Sequence, residues 1–272
     1  EHCFKTFKTK QEGNQGAGQN SVRSIIPVST ELLLVGTEAG LYKFNLKEQQ
    51  FSKLQLNGKS FDKSVFSFFQ MDENNILIGS MEDVLLFEIN TNTLKRLSFP
   101  YLINAGFHAF EKSSDSILWA GTGKGLFKIE WLAEKDSINI IEQYKPNVLD
   151  STSISSSHIS TLFLDDHQQL WIGTDNGLNK FSLNKIENGF QRIANSNSDN
   201  NSISSNLVND LYEVEDGVVW VGTQEGINSF SINQSAFEAL PIQNTNCGNS
   251  IHGIIENQSS ALLACTENGL LE

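Results

Sequence analysis

The segment LWIGTDNGLNKF at 170–181 returns along the chain as LLVGTEAGLYKF at 33–44, LWAGTGKGLFKI at 118–129, VWVGTQEGINSF at 219–230 and LLACTENGLLE at 262–272. A worn copy, ILIGSMEDVLLF at 76–87, has Asp83 where the others carry a second Gly. This recurrence limits the fold more than any single residue does, because a repeated unit that cannot bury its own apolar face must stack on its copies. The first Gly of each copy falls at Gly36, Gly79, Gly121, Gly173 and Gly222, with Cys265 in the sixth slot, at spacings of 43, 42, 52, 49 and 43. That period is the length of a four-stranded propeller blade.

Within a unit the strands read directly. From Leu207, LVNDLYEV, VVWVGT, GINSFSI and AFEAL are four β-rich runs bounded by turn formers, and VRSIIPV, ELLLVGT, GLYKFNL and FSKL repeat the order in the first unit. The expectation is an all-β chain, a single β-propeller domain over 1–272. Its six four-stranded blades lie at about 20–57, 64–98, 105–144, 157–194, 206–241 and 250–272. The last copy stops at its third strand, so residues 1–10 are expected to lend an N-terminal strand to the last blade and hide its edge.

The repeat has local reasons. Thr and the apolar residues before the first Gly suit a strand, and Asp175-Asn176-Gly177 supplies residues that tolerate the positive φ of tight hairpins. Trp119, Trp171 and Trp220 are expected to anchor adjacent blades, the alternative being a stacking platform for a sugar ring. Cys265, in a Gly slot, is expected to be a small buried residue. Two polar stretches, 145–158 and 194–206, each joining a fourth strand to the next first strand, read as surface loops.

Composition narrows function. The net charge of −13 argues against a nucleic-acid partner and against an anionic membrane surface. No run reaches the roughly 20 apolar residues of a membrane span, and the N-terminus has no signal-peptide pattern. Cys3, Cys247 and Cys265 lie far apart with no CxxC pair, which argues against zinc and allows one disulfide without requiring it.

The pattern of a strand ending in LWIGT, a two-residue turn and GL, preceded by SISSSHISTLFLDDHQQ, resembles the two-component regulator propeller repeat. The match is close at 151–183 and 202–232, fair at 20–46 and 105–130, and weak in the second and sixth units. The resemblance implies the periplasmic sensor region of a hybrid two-component histidine kinase. It further implies an oligosaccharide ligand, further sensor domains of the same chain as partners, and homodimer formation. Family sensors carry larger or tandem propellers, then a β-sandwich, a membrane span and a kinase core, none of which is in this sequence.

The chemistry-bearing motifs have plainer explanations. GTGKG at 121–125 lacks the spacing and the strand-to-helix setting of a phosphate loop, and Lys124 falls in a hairpin turn. Asp165-Asp166-His167 reads as a solvated hairpin tip. No two His stand at ligand spacing and no GxSxG elbow appears, so the expectation is no catalytic residue, no metal and no cofactor. The competing functions are a propeller enzyme such as a lyase and a protein-interaction scaffold.

Strands running alternately up and down would gather the turns after each second strand and the long loops on one face. At the start of each first strand there, the residues are Arg23, Phe66, His108, Ser160, Asn209 and His252, near the expected channel mouth. Arg23, His108, Asn209 and His252 are the candidate ligand contacts, Arg23 suiting a carboxylate and Asn209 paired hydroxyls.

Overall fold

The computed structural model describes residues 6–8, 20–98, 104–132, 134, 137–214, 217–232, 237–240, 248–257 and 261–271. They fall into two compact units, Glu1–Phe110 with Glu130–Asn139, and Glu111–Ile129 with Ile140–Glu272.

In the first unit, β1 (Val22–Ser29), β2 (Leu32–Thr37), β3 (Gly40–Asn45) and β4 (Gln50–Lys53) make an up-and-down antiparallel sheet. A short ribbon, β5 (Gln55–Leu56) and β6 (Lys59–Ser60), leads to the second sheet. That sheet comprises β7 (Val65–Gln70), β8 (Asn75–Ser80), β9 (Val84–Glu88) and β10 (Thr93–Arg96). Next along the chain, β11 (Phe107–Lys112), β12 (Ile117–Thr122), β13 (Gly125–Leu132) and β14 (Ser137–Tyr144) form the third.

The second unit holds the fourth sheet, β15 (Ile159–Leu164), β16 (Gln169–Thr174), β17 (Gly177–Ser182) and β18 (Phe190–Ile193). The fifth is β19 (Val208–Val214), β20 (Val218–Thr223), β21 (Gly226–Ser231) and β22 (Glu238–Leu240), and the sixth is β23 (Ile251–Glu256), β24 (Leu262–Thr266) and β25 (Gly269–Leu271). These six sheets are the blades of a β-propeller.

The second strand of a blade is buried along most of its length, as β8, β12 and β16 show. Such a strand has a neighbouring sheet over each side chain face, which is why the sequence there is a continuous apolar run rather than an alternating one. The first Gly of the motif marks the closest approach. A Cβ on Gly222 would stand 2.7 Å from Ile251 Cγ2, so only a bare Cα lets the first strand of the next blade lie this near.

The tryptophans anchor blades as expected. Trp119 is buried and meets Phe181 of the next blade edge-on, with ring centroids 5.8 Å apart, and Trp171 meets Phe230 at 4.7 Å. Burying rings of this size in contact stabilises the blade stack beyond their area alone.

Two expectations change, and a third falls largely outside the described residues. Cys265 is exposed rather than buried, without the cover that Ile251 and Ile254 give Gly222 in the same slot of the preceding repeat. The stretches 145–158 and 194–206 are not wholly surface loops, since Ile154 and Ile203 are completely buried. The strand expected from residues 1–10 lies outside the described residues except at Thr6–Lys8, where no strand forms and Phe7 packs on Phe44, ring centroids 5.0 Å apart. Cys3 and Cys247 also lie outside the described residues.

Candidate functional site

The Thr of five repeats acts through its hydroxyl. Thr174 Oγ1 donates to Gly177 O at 2.7 Å and accepts from Asn176 N at 3.0 Å, and Thr37, Thr122, Thr223 and Thr266 make the same pair of bonds. Of the turn residues only Gly177 takes positive φ, 94°, while Asp175 and Asn176 do not. The side chain thus closes a turn whose one demanding position goes to glycine. Lys124 sits in such a turn, its N–H donating to Thr122 Oγ1, as the sequence indicated.

In the fourth and fifth blades these turns receive the preceding loop. Ser155 N donates to Asn179 Oδ1 at 2.9 Å, Asn179 Nδ2 donates to Ser155 Oγ at 2.7 Å, and Ser155 Oγ reaches Thr174 Oγ1 at 3.1 Å. Ser204, Asn228 and Thr223 repeat this network at 3.0, 2.8 and 2.8 Å. Both Asn side chains are fully buried, and a buried amide is tolerated only when paired in this way. Ile154 and Ile203, one residue before each Ser, fix the loop from its apolar side. Sequence reasoning missed this clasp; the signal available was the spacing of 24 residues between Ser155 and Asn179, repeated between Ser204 and Asn228.

Three of the candidate contacts at the first strands, Arg23, Asn209 and His252, are bulge residues. Pairing runs Val22↔Thr37 then Ser24↔Gly36, leaving Arg23 as the extra residue, and the same shift isolates Phe66, Ser160, Asn209 and His252. A bulge re-aims its side chain out of the alternation, a device common near binding sites.

Arg23 and His108 belong to the first unit, Asn209 and His252 to the second. Arg23 pairs with Glu38, and His108 meets the Phe66 ring edge-on at 4.9 Å. Asn209 Nδ2 donates to Ile251 O at 2.7 Å, and His252 Nε2 lies 3.4 Å from Ser250 Oγ. Ser160 Oγ likewise donates to Val208 O at 2.6 Å. In the fourth and fifth blades the bulge side chains therefore also tie one first strand to the next.

Beside Asn209 stands a carboxylate the sequence reading passed over. Asp210 accepts from Ile254 N at 2.8 Å, Leu211 N at 3.0 Å and Thr161 Oγ1 at 3.4 Å, linking three blades. Burial pushes its pKa up to about 6, against the lowering effect of those donors. The Asp165-Asp166-His167 tip also differs from expectation. Asp166 and His167 are exposed, but Asp165 is buried and accepts from Trp171 Nε1 at 2.9 Å, His167 N at 2.9 Å and Gln169 N at 2.8 Å.

A trough in the second unit runs between the fourth and fifth blades. One cavity of about 540 Å³ is lined by Gln169, Lys180, Lys185, Asn188, Phe190 and Gln191, among others. A second, of about 460 Å³, shares Lys180, Gln191 and Ile232 with it and reaches Trp171, Arg192 and Asp199. Lys180 Nζ lies over the Trp171 ring, 5.0 Å from its centroid. Among the described residues no group of three or more His, Cys, Asp or Glu is arranged to hold a metal ion.

A family model described as two component regulator propeller matches residues 153–176 and 202–225, each running from the Ser before the buried Ile to the motif turn. These segments are two-component regulator propeller repeats. The chain is 29% identical over 177 residues, 62% of its length, to histidine kinase P4 of Formosa agariphila. It spans only 13% of that relative.

Among solved structures, the extracellular domain assigned to the hybrid two component system BT3049 of B. thetaiotaomicron matches with a TM-score of 0.71. There the identity is 17%, covering 97% of this chain and 35% of that one. Streptogramin B lyase matches with a TM-score of 0.63 at 10% identity, covering 92% and 82%. At such identities the structural matches establish the propeller fold. The regulator propeller repeats carry the link to two-component sensors. Among the described residues no helix is long and apolar enough to cross a membrane.

Proposed function

We infer that this chain is an extracytoplasmic sensor propeller of a hybrid two-component histidine kinase, working in the periplasm and binding an oligosaccharide rather than transforming it. The observation that carries the reading is the 177-residue similarity to a histidine kinase, in a chain that carries two regulator propeller repeats. Support comes from the site chemistry. Bulges re-aim polar side chains along the inner strands, and amide and hydroxyl groups able to pair with vicinal hydroxyls line the trough. Further sensor domains of the same chain, or a second copy, would relay the bound state.

Calorimetric titration of an oligosaccharide panel against the wild type and the Arg23→Ala, His108→Ala, Asn209→Ala and His252→Ala variants tests this. The reading expects saturable binding of at least one member, and weakening in any of the four variants would place the ligand at the first strands. Binding that none of the four alters would remove these residues from the site. Failure of every oligosaccharide to bind would overturn the ligand class.

A further inference from the structure

The trough between the fourth and fifth blades has an unusual charge balance for this protein. The chain carries a net −13, yet none of the described residues lining the larger cavity is a carboxylate, while Lys180 and Lys185 both line it. Neither ammonium takes part in an ion pair among the described residues; Lys180 rests on the Trp171 face instead. Its neighbours are donors and acceptors, Gln169, Asn188 and Gln191, over a floor made by the buried Phe190 ring. At the His167 end, the nearby charges of Asp166 and Glu213 make anion binding unfavourable.

The repeat supplies an internal comparison. A trough of about 530 Å³ lies between the first and second blades, where Lys43, third after Gly40 as Lys180 is third after Gly177, lines the same position. There Lys43 donates to Asn92, and Glu48 joins the lining. The first unit's lysine is thus occupied beside a carboxylate. Lys180 shares the smaller cavity with Asp199, yet among the described residues it forms no ion pair and rests on the Trp171 ring.

We propose that the Lys180 trough binds an anionic sugar, one bearing a carboxylate or sulfate group on a hydroxyl-rich ring. The ammonium groups of Lys180 and Lys185 take the anionic group, and Gln169 and Gln191 pair with ring hydroxyls. Cation and amide donors in one cavity select against neutral sugars, which leave the lysines unpaired, and against bare anions, which leave the amides unpaired. The assignment rests on the oligosaccharide-sensor reading and adds to it a location and a charge requirement.

The test titrates the 272-residue chain with trigalacturonate, a sulfated disaccharide, a neutral galactotriose and inorganic sulfate, at low and high salt. An anionic sugar should bind about tenfold or more tighter than both the neutral sugar and sulfate, and its affinity should fall with salt. Lys180→Gln and, separately, the exposed Lys185→Gln should weaken it several-fold, while Lys43→Gln should not. Preference for either the carboxylate or the sulfate arm fits the proposal and names the source. A neutral oligosaccharide binding equally well, with Lys180→Gln inert, would keep the sensor reading and overturn this site. Inorganic sulfate binding as tightly as the sugars would also overturn it. Equal loss in Lys43→Gln would mean nonspecific attraction and defeat the proposal. Binding of no sugar would overturn both readings.

Discussion

Asn228 holds Ser204 by two bonds at once: its Oδ1 accepts from the Ser204 backbone N–H at 3.0 Å while its Nδ2 donates to Ser204 Oγ at 2.8 Å. The amide is fully buried, so its loss leaves the Ser204 N–H without its partner beside an apolar wall. Asn228→Ala should cost about 1–3 kcal/mol of unfolding free energy, read from denaturant midpoints. Asn179→Ala, in the equivalent clasp, should behave alike. A change below about 0.5 kcal/mol in both would mean the clasps do not hold the loops.

Gly222 and Cys265 occupy the same slot of successive repeats in opposite surroundings. A methyl group on Gly222 would press on Ile251 at 2.7 Å, so Gly222→Ala should destabilise by about 1–3 kcal/mol through overpacking. Cys265→Ala, at an exposed position, should stay within about 0.5 kcal/mol. Thermal melts of the two variants decide it, and equal losses would contradict the slot assignment.

The Cys265 thiol should also be open to alkylation in the folded protein. Burial, then the charge of Asp210, pushes its pKa above the usual thiol value, so labelling should be slow at neutral pH and accelerate as pH rises. Peptide mapping of iodoacetamide-treated native protein checks this. Labelling of Cys265 only after denaturation would contradict its exposure.

Asp210 gives the fold a pH dependence of definite sign. Its folded pKa, pushed up to about 6, exceeds the usual 3.9 of an unfolded Asp, so the folded state binds the proton more tightly. The stability linked to that proton is fully present below pH 3.9 and is lost as pH rises through about 6. Relative to Asp210→Asn, the wild type should therefore gain of order 2 kcal/mol between pH 7 and pH 4. Parallel curves for the two proteins would remove Asp210 as the source.

The strands and their stacking were legible because each rests on a local pattern. Apolar runs such as LWIGT demand burial on both faces, and Gly177 marks a turn that other residues fill poorly. Side-chain roles that depend on a partner far along the chain were not. Asn179 reads like any surface amide until Ser155, 24 residues earlier, is brought onto it. Asp165 sits in a stretch whose composition suggests solvent, yet the indole N–H of Trp171 and the backbone N–H groups of His167 and Gln169 hold it inside.

The bulges were hidden for another reason. One extra residue at Asn209 changes no composition, yet it redirects the side chain, and the amide the sequence offered to ligand hydroxyls binds Ile251 O instead. The trough around Lys180 was equally out of sight. Its lining comes almost wholly from residues 167–191, but only the pairing of β16, β17 and β18 brings Gln169, Lys180 and Gln191 side by side.

The central claim is that this propeller binds a sugar and returns it unchanged. The direct measurement incubates the chain with each oligosaccharide that it binds, at concentrations well above the dissociation constant, and follows the sugar by mass spectrometry. The account predicts saturable binding with the ligand recovered intact. Reproducible cleavage products, abolished by a single substitution in the protein, would contradict it and make the chain an enzyme.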